Sequence, residues 1–146
     1  MKRNNVLALV LPLLLAGAAA CSDDEEAFAA ALTGTASDAT GAATFTLTDD
    51  LTVSYTITVQ NIENATAAHI HDGAAGETGS IIADLFVGQD PFSGSGTLAT
   101  GTFTAADVKT GNFDSLLEGM RTGGVYVNVH TSANPGGEIR GQIQAN

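Results

Sequence analysis

The residues best suited to chemistry in this chain are its three histidines, and all three fall in segments that read as β-strands. His69 and His71 flank Ile70, and His130 ends a later segment. Alternate residues of a strand share a face, so His69 and His71 leave the sheet on one side when Ile70 faces the core. Imidazole nitrogen is a common ligand of zinc and copper. The spacing predicts a site for one Cu or Zn ion, provided that the strand carrying His130 lies beside the other two.

Further polar residues share the predicted face with the histidines. The segment before the third histidine alternates valines with polar residues, which places Asn128 on the imidazole side. Glu138 and Arg140 take the same side of the last segment, and Asp72 directly follows the His-x-His pair. These four residues are predicted to support the imidazoles, either by hydrogen-bonding to rings that bind a metal or as part of a structural network.

Two interpretations of the cluster stay open. In one, three imidazoles bind Cu or Zn and leave a coordination position free, as catalytic metal sites do. In the other, the residues form a hydrogen-bonded network in which Glu138 pairs with Arg140 and the histidines bond to the backbone or to Asp72. Ser132 lies close to His130 in sequence, but no nucleophile-elbow pattern surrounds it, so the sequence does not favour a hydrolase.

The elements that must position these side chains are short strands. From about residue 32 to the end, Thr, Val, Ile and Gly dominate, and turn residues recur about every ten positions. Residues 113–120 have the pattern of a short helix. The predicted strands cover residues 44–47, 51–59, 67–71, 80–87, 94–103, 125–130 and 138–144. The fold class is therefore predicted as all-β: a single antiparallel β-sandwich or small barrel, immunoglobulin-like or superoxide-dismutase-like, with one short helical excursion.

The N-terminus reads as an export signal. Lys2 and Arg3 precede an apolar run over residues 6–15, small residues follow, and Cys21 comes next. This resembles a bacterial lipoprotein signal, which implies lipidation of Cys21; the alternative is an ordinary secretory signal followed by a chance cysteine. The predicted boundaries are a signal peptide at 1–20, a lipidated cysteine with an acidic tether at 21–31, and a β-domain at 32–146.

That reading places the protein on the bacterial outer membrane, at the cell surface or on the periplasmic face. The lipid attached at Cys21 would hold it on the membrane without a spanning segment. A protein or glycan partner at the envelope or outside the cell is the further expectation.

Composition excludes several function classes. The chain has 146 residues, with 5 Lys plus Arg against 16 Asp plus Glu, for a formal net charge of −11. Phosphate backbones repel such a polyanion, so nucleic-acid binding is not expected. A single cysteine excludes both an intramolecular disulfide framework and a thiolate zinc site.

Three segments carry a resemblance to a known family. They are AHIHDGAAG at residues 68–76, GVYVNVHT at 124–131 and NPGGEIRGQI at 134–143. They resemble the CHRD domain, a module named from chordin, over about residues 32–145. The resemblance implies a β-sandwich-like extracytoplasmic domain. The leading hypothesis is a membrane-anchored, non-enzymatic domain with a binding or structural role at the cell envelope, and the alternative is a mononuclear Cu or Zn domain with redox activity.

A fainter similarity is to Cu/Zn superoxide dismutase. His69 and His71, then His130, then Gly137 to Arg140 follow the order of the His-x-His, Val-x-His and Gly-x-x-Arg motifs of that family. The family has further metal ligands and a disulfide, which this chain lacks. The similarity therefore implies a mononuclear copper site at most.

Overall fold

A computed structural model describes residues 25–34 and 36–146, and these residues form an all-β fold with one helix. The strands are β1 Glu26–Thr33, β2 Thr40–Leu47, β3 Val53–Asp72, β4 Ile81–Phe103, β5 Val125–Thr131, β6 Ile139–Gln142 and β7 Gln144–Ala145. A 3₁₀ turn at Ala105–Asp107 and helix α1, Phe113–Thr122, lie between β4 and β5. The predicted fold class is confirmed.

The strands close into an antiparallel barrel because β3 is long enough to pair at both of its ends. The sheet runs β2-β1-β6-β5-β3-β4, and β3 also pairs with β2. The first part of β3 pairs with β2 through residue 60, and the part from Ala65 onwards pairs with β5. Between them, Asn61 and Asn64 have positive φ angles of 55° and 51°. Asn tolerates this left-handed backbone better than most residues, so it suits the place where β3 changes partner.

Strand alternation fills the barrel with apolar side chains. Phe28, Phe45, Ile57 and Phe103 are each at most 2% exposed and belong to one continuous core. Burial of one such side chain stabilises a fold by roughly 1.5–3 kcal/mol, so these strands hold the barrel together without a disulfide. Helix α1 adds four buried residues to the same core: Phe113, Leu116, Leu117 and Met120.

The β-domain starts earlier than the predicted boundary at residue 32. Strand β1 pairs with β2 along its whole length from Glu26 to Thr33, so residues 26–31 are not a tether. Phe28 and Leu32 are fully buried, and Glu26 forms an ion pair with Arg121 of α1. The alternation was hard to see because alanines occupy most of the remaining positions of β1.

The predicted signal peptide at 1–20 and Cys21 lie outside the described residues. Within the part of the chain that the structure describes, α1 has ten residues, and no helix has the length and apolar character that crossing a membrane requires.

Candidate metal centre

The register of β3 with its neighbours brings the three histidines together. Ala67 lies opposite His130 of β5, and His69 lies opposite Asn128, so His130 is the diagonal neighbour of His69 on the outer face of the barrel. Nδ1 of His69 is 3.1 Å from Nε2 of His130. One nitrogen from each of the three imidazoles lies within 4.8 Å of the others. The prediction that these side chains meet depended on β3 and β5 being neighbours, and they are.

Backbone carbonyl groups fix two of the three rings. Nδ1 of His71 is 3.1 Å from the carbonyl oxygen of Gly79, and Nδ1 of His130 is 2.9 Å from that of Pro135. A carbonyl oxygen only accepts hydrogen bonds, so each of these nitrogens carries the hydrogen and leaves its Nε2 with a free lone pair. Histidines that bind metals nearly always donate their second ring nitrogen in this way.

Nε2 of His71 has no hydrogen-bond partner among the described residues, although it is buried. His71 as a whole is 8% exposed. A buried polar atom without a partner is rare in folded proteins and costs roughly 1–3 kcal/mol. This nitrogen belongs to the cluster of imidazoles, so a ligand bound among the three rings would satisfy it.

Burial keeps two of the imidazoles in the form that binds metals. Burial and, to a smaller extent, the neighbouring His130 lower the pKa of His69 from 6.5 to about 4, although Asp84 acts in the opposite direction. Burial also lowers the pKa of His130, against the opposing effect of its hydrogen bond to Pro135. Both imidazoles are therefore uncharged at neutral pH, and no proton has to leave them before an ion binds.

Tyr126 and Arg140 cover the side of the cluster formed by His71. The Tyr126 ring stacks on His71 with 5.1 Å between centroids and 13° between planes. The Arg140 guanidinium lies over Tyr126, with Cζ 3.6 Å from the ring centroid, and donates a hydrogen bond to the Glu77 carbonyl at 2.9 Å. The stack fixes His71 between its own strand and the loop at residues 73–80. Arg140 was predicted to support the imidazoles, and it acts on His71 through Tyr126.

Asn128 supports the site through the second loop, residues 132–137. Its Nδ2 donates to the Gly136 carbonyl at 3.0 Å, next to the Pro135 carbonyl that orients His130. Gly137, with φ at 129°, packs against Asn128: a Cβ atom there would lie 2.2 Å from Asn128 Oδ1. The predicted role of Asn128 as a supporting residue thus fits its place in the fold.

Glu138 belongs to a separate hydrogen-bond network. Its carboxylate accepts bonds from Ser37, Thr131 and Asn134, with Thr131 Oγ1 at 2.9 Å. The bonds from Ser37 and Asn134 are the main causes that lower the pKa of this carboxyl. The predicted pairing of Glu138 with Arg140 was wrong, because Glu138 bonds to Thr131 at the end of β5, whereas Arg140 lies over Tyr126 near its start.

Asp72 does not reach the histidines. Its side chain is exposed, and strand alternation points it to the face opposite that of His71. The backbone N–H of Asp72 donates to the Ser80 carbonyl at 3.0 Å. The predicted histidine–Asp72 bond was therefore wrong, because adjacent residues of a strand cannot share a face.

Sequence reasoning missed Asp84, the carboxylate that does approach the cluster. Asp84 lies opposite His69 in β4, with Oδ1 3.7 Å from Nε2 of His69, and it forms an ion pair with Lys109. Only the β3–β4 register reveals this neighbour. That register contains several bulges, so counting residues back from the loop would not have found it.

Three imidazole nitrogen donors match the ligand sets of zinc and copper. Such ligands bind at ~2.0–2.1 Å, so two nitrogens on one ion are at most ~4.2 Å apart. The present limit of 4.8 Å means that binding would draw the rings together by several tenths of an ångström. With three protein ligands, a fourth position stays available for water or a substrate, and the His69 side chain is 14% exposed.

Comparison with known proteins identifies the family. The family model of the CHRD domain matches residues 19–143, which is most of the chain and confirms the resemblance seen in the sequence. Among curated proteins, none matches this chain significantly. The similarity to Cu/Zn superoxide dismutase stays a prediction. From the extent of the family match, the chain belongs to the CHRD domain family.

Proposed function

We propose that this CHRD domain binds a single copper or zinc ion through His69, His71 and His130. The observation that carries the proposal is the buried Nε2 of His71, which has no hydrogen-bond partner among the described residues and belongs to a ring clustered with two further imidazoles. A purely structural network would satisfy this atom, since an unsatisfied one destabilises the fold. A bound ion satisfies it.

Copper is the ion that the donor set favours. The three ligands are imidazole nitrogens, and for the same donors Cu²⁺ binds more tightly than Zn²⁺ in the Irving–Williams order. No carboxylate is among the three ligand groups, so the hard ions Ca²⁺ and Mg²⁺, which require oxygen ligands, are disfavoured. A free coordination position on copper would support redox chemistry with a small molecule that reaches the partly exposed side of the cluster.

Metal content tests the proposal directly. Residues 22–146 include every strand of the described fold and would be produced without the lipid. The protein would be loaded with Cu²⁺ or Zn²⁺, dialysed and analysed for bound metal, beside the triple variant His69→Ala/His71→Ala/His130→Ala. Asp72→Asn is the matched control, because Asp72 follows the ligands in sequence but lies on the opposite face.

We expect about one equivalent of metal in the wild type and in Asp72→Asn, and none in the triple variant. Circular dichroism would establish that the triple variant is folded. If the folded wild type retains no metal after dialysis, the proposal is wrong, and the histidines have a structural role.

We propose in addition that a lipid on Cys21 attaches the domain to the membrane at the cell envelope. The proposal is supported by the basic and apolar residues that precede Cys21 and by the position of β1, which begins only five residues after it. Five residues span at most ~18 Å, so the barrel would stay close to the lipid surface. The domain would then present its histidine cluster outside the cytoplasm.

Metabolic labelling with an alkyne fatty acid tests the lipid anchor. The wild type, expressed in a bacterial host, should take up the label and fractionate with membranes. The variant Cys21→Ser should do neither. Equal labelling of both proteins would contradict the proposal, and protease treatment of intact cells would identify the membrane face.

A further inference from the structure

His69 lies between one hydrogen-bond partner, His130, and a nearby carboxylate, Asp84. Nδ1 of His69 faces Nε2 of His130 at 3.1 Å. His130 donates its Nδ1 hydrogen to Pro135, so its Nε2 is an acceptor. In this arrangement Nδ1 of His69 must carry the hydrogen. That hydrogen points at a lone pair needed for an ion, so this tautomer describes a metal-free state.

The nearby carboxylate lies on the other edge of the same ring. Nε2 of His69 is 3.7 Å from Oδ1 of Asp84, a carboxylate that only accepts hydrogen bonds when ionised. If Nε2 carries the hydrogen, a small rotation brings it within bonding distance of Asp84. Nδ1 then presents a lone pair to the other imidazoles. The ring stays neutral in both tautomers, because one proton leaves Nδ1 and one arrives at Nε2.

Lys109 holds the Asp84 carboxylate in position beside His69. Its ammonium group is paired with Oδ2 of Asp84, while Oδ1 is the oxygen nearest to His69. The backbone N–H of Lys109 donates to the Ile82 carbonyl at 2.7 Å, which holds this residue beside β4. The carboxylate is thus fixed between a cation and the imidazole, with one oxygen for each.

We infer that Asp84 is a positioning residue that selects the Nε2–H tautomer of His69 and thereby makes Nδ1 the third metal ligand. The inference rests on the proposed metal site and adds its regulation: binding requires His69 to exchange its bond to His130 for a bond to Asp84. Carboxylate–histidine–metal arrangements of this kind orient ligand rings in other metal sites.

The experiment compares zinc affinity in the wild type, Asp84→Ala and Asp90→Asn, by competition with a chromophoric chelator. Asp90 is an exposed aspartate of the same strand and serves as the matched control. Loss of an outer-shell partner costs ~10–100-fold in metal affinity, and we expect a loss in this range for Asp84→Ala. Asp90→Asn should bind zinc within about twofold of the wild type.

Long-range ¹H–¹⁵N correlation spectra of the imidazoles supply a readout that a structural role would not move. The metal-free wild type should show His69 with its hydrogen on Nδ1, and the zinc-loaded protein should show it on Nε2. Zinc attached to Nε2 of His69, or a zinc affinity of Asp84→Ala within twofold of the wild type, would overturn the inference alone. Absence of zinc binding in the wild type would overturn the metal site and the inference together.

Discussion

Mild acid should destabilise the metal-free domain, and His69 should be the main cause. The pKa of His69 is about 4 in the folded protein, against 6.5 for an unperturbed histidine, chiefly because the ring is buried. A group with a lowered pKa in the folded state takes up protons preferentially in the unfolded state. Stability is therefore complete above pH 6.5 and is lost as the pH falls towards 4.

The size of the effect follows from the same two values. At pH 5 the unfolded chain carries an almost fully protonated His69, whereas the folded protein carries about a tenth of a proton there. The corresponding loss of unfolding free energy between pH 7 and pH 5 is about 2 kcal/mol, and it approaches about 3 kcal/mol at pH 4. The His69 side chain is only 14% exposed, so solvent screening reduces these values little. Against a typical domain stability of ~5–15 kcal/mol, this loss is easily measured.

Urea unfolding at pH 7, 6 and 5, with a chelator present, measures the loss. The matched variant is His69→Gln, which keeps a polar side chain of similar size but does not titrate. We expect its unfolding free energy to change less than that of the wild type over this range, and the remaining change includes the contribution of His130, whose pKa is also lowered. The pKa values of the Glu26 and Glu138 carboxyls are lowered from 4.5, so their contribution to stability is lost mainly below this window.

Two results would refute the reasoning. One is a wild-type stability that is constant between pH 7 and pH 5. The other is an equal loss of stability in the wild type and in His69→Gln. Either result would mean that the pKa of His69 differs little between the folded and unfolded protein, so that protonation of this ring does not destabilise the fold.

Three further predictions concern the framework. Phe28→Ala should destabilise the domain by about 3–5 kcal/mol in urea unfolding, because Phe28 is fully buried in β1. A much smaller loss would indicate that residues 26–31 form a tether and not a core strand. Glu138→Gln should lower the melting temperature by weakening bonds to a buried carboxylate, worth about 1–3 kcal/mol in total; an unchanged melting temperature would show that this network is not stabilising. Gly137→Ala should reduce both stability and zinc affinity, since its Cβ would collide with Asn128. A Cβ at Gly136 meets nothing within 4 Å, so Gly136→Ala should have the stability and zinc affinity of the wild type. Equal behaviour of the two glycine variants would show that the loop is not constrained.

The barrel strands could be predicted because their alternation is strong. The segment 51–59 alternates apolar residues with hydroxyl-bearing ones, and the structure places residues 53–59 in β3. Strand β1 was not predicted because alanine fits both buried and exposed positions, so that only Phe28 and Leu32 indicated its buried face. The continuation of β3 through Asn61 and Asn64 was equally hidden, since asparagine usually marks a turn.

The candidate site was predictable only as far as side-chain types and strand faces allow. His69, His71 and His130 carry rare side chains, and alternation assigns them to one face. The polar groups that face their ring nitrogens from outside the cluster were not predictable, because two are backbone carbonyl groups and the third, Asp84, depends on an irregular register. The predicted histidine–Asp72 bond and the predicted Glu138–Arg140 pair were wrong because closeness in sequence does not determine which neighbours a side chain meets.

Two of the three imidazoles are oriented by main-chain carbonyls, those of Gly79 and Pro135, and this has a consequence for mutational tolerance. A carbonyl group cannot be removed by a point substitution, so most side chains in these loops can be replaced without loss of the hydrogen bonds that orient the rings. A substitution disturbs those bonds only when it changes the conformation of the loop. Gly79 is the most sensitive position, because a Cβ there would lie 2.0 Å from the Asp72 carbonyl oxygen. Gly76 meets nothing within 4 Å, but its φ of 86° also favours glycine. Variation within this loop should therefore accumulate at exposed non-glycine positions such as Ala75 and Thr78, and stop at Gly79.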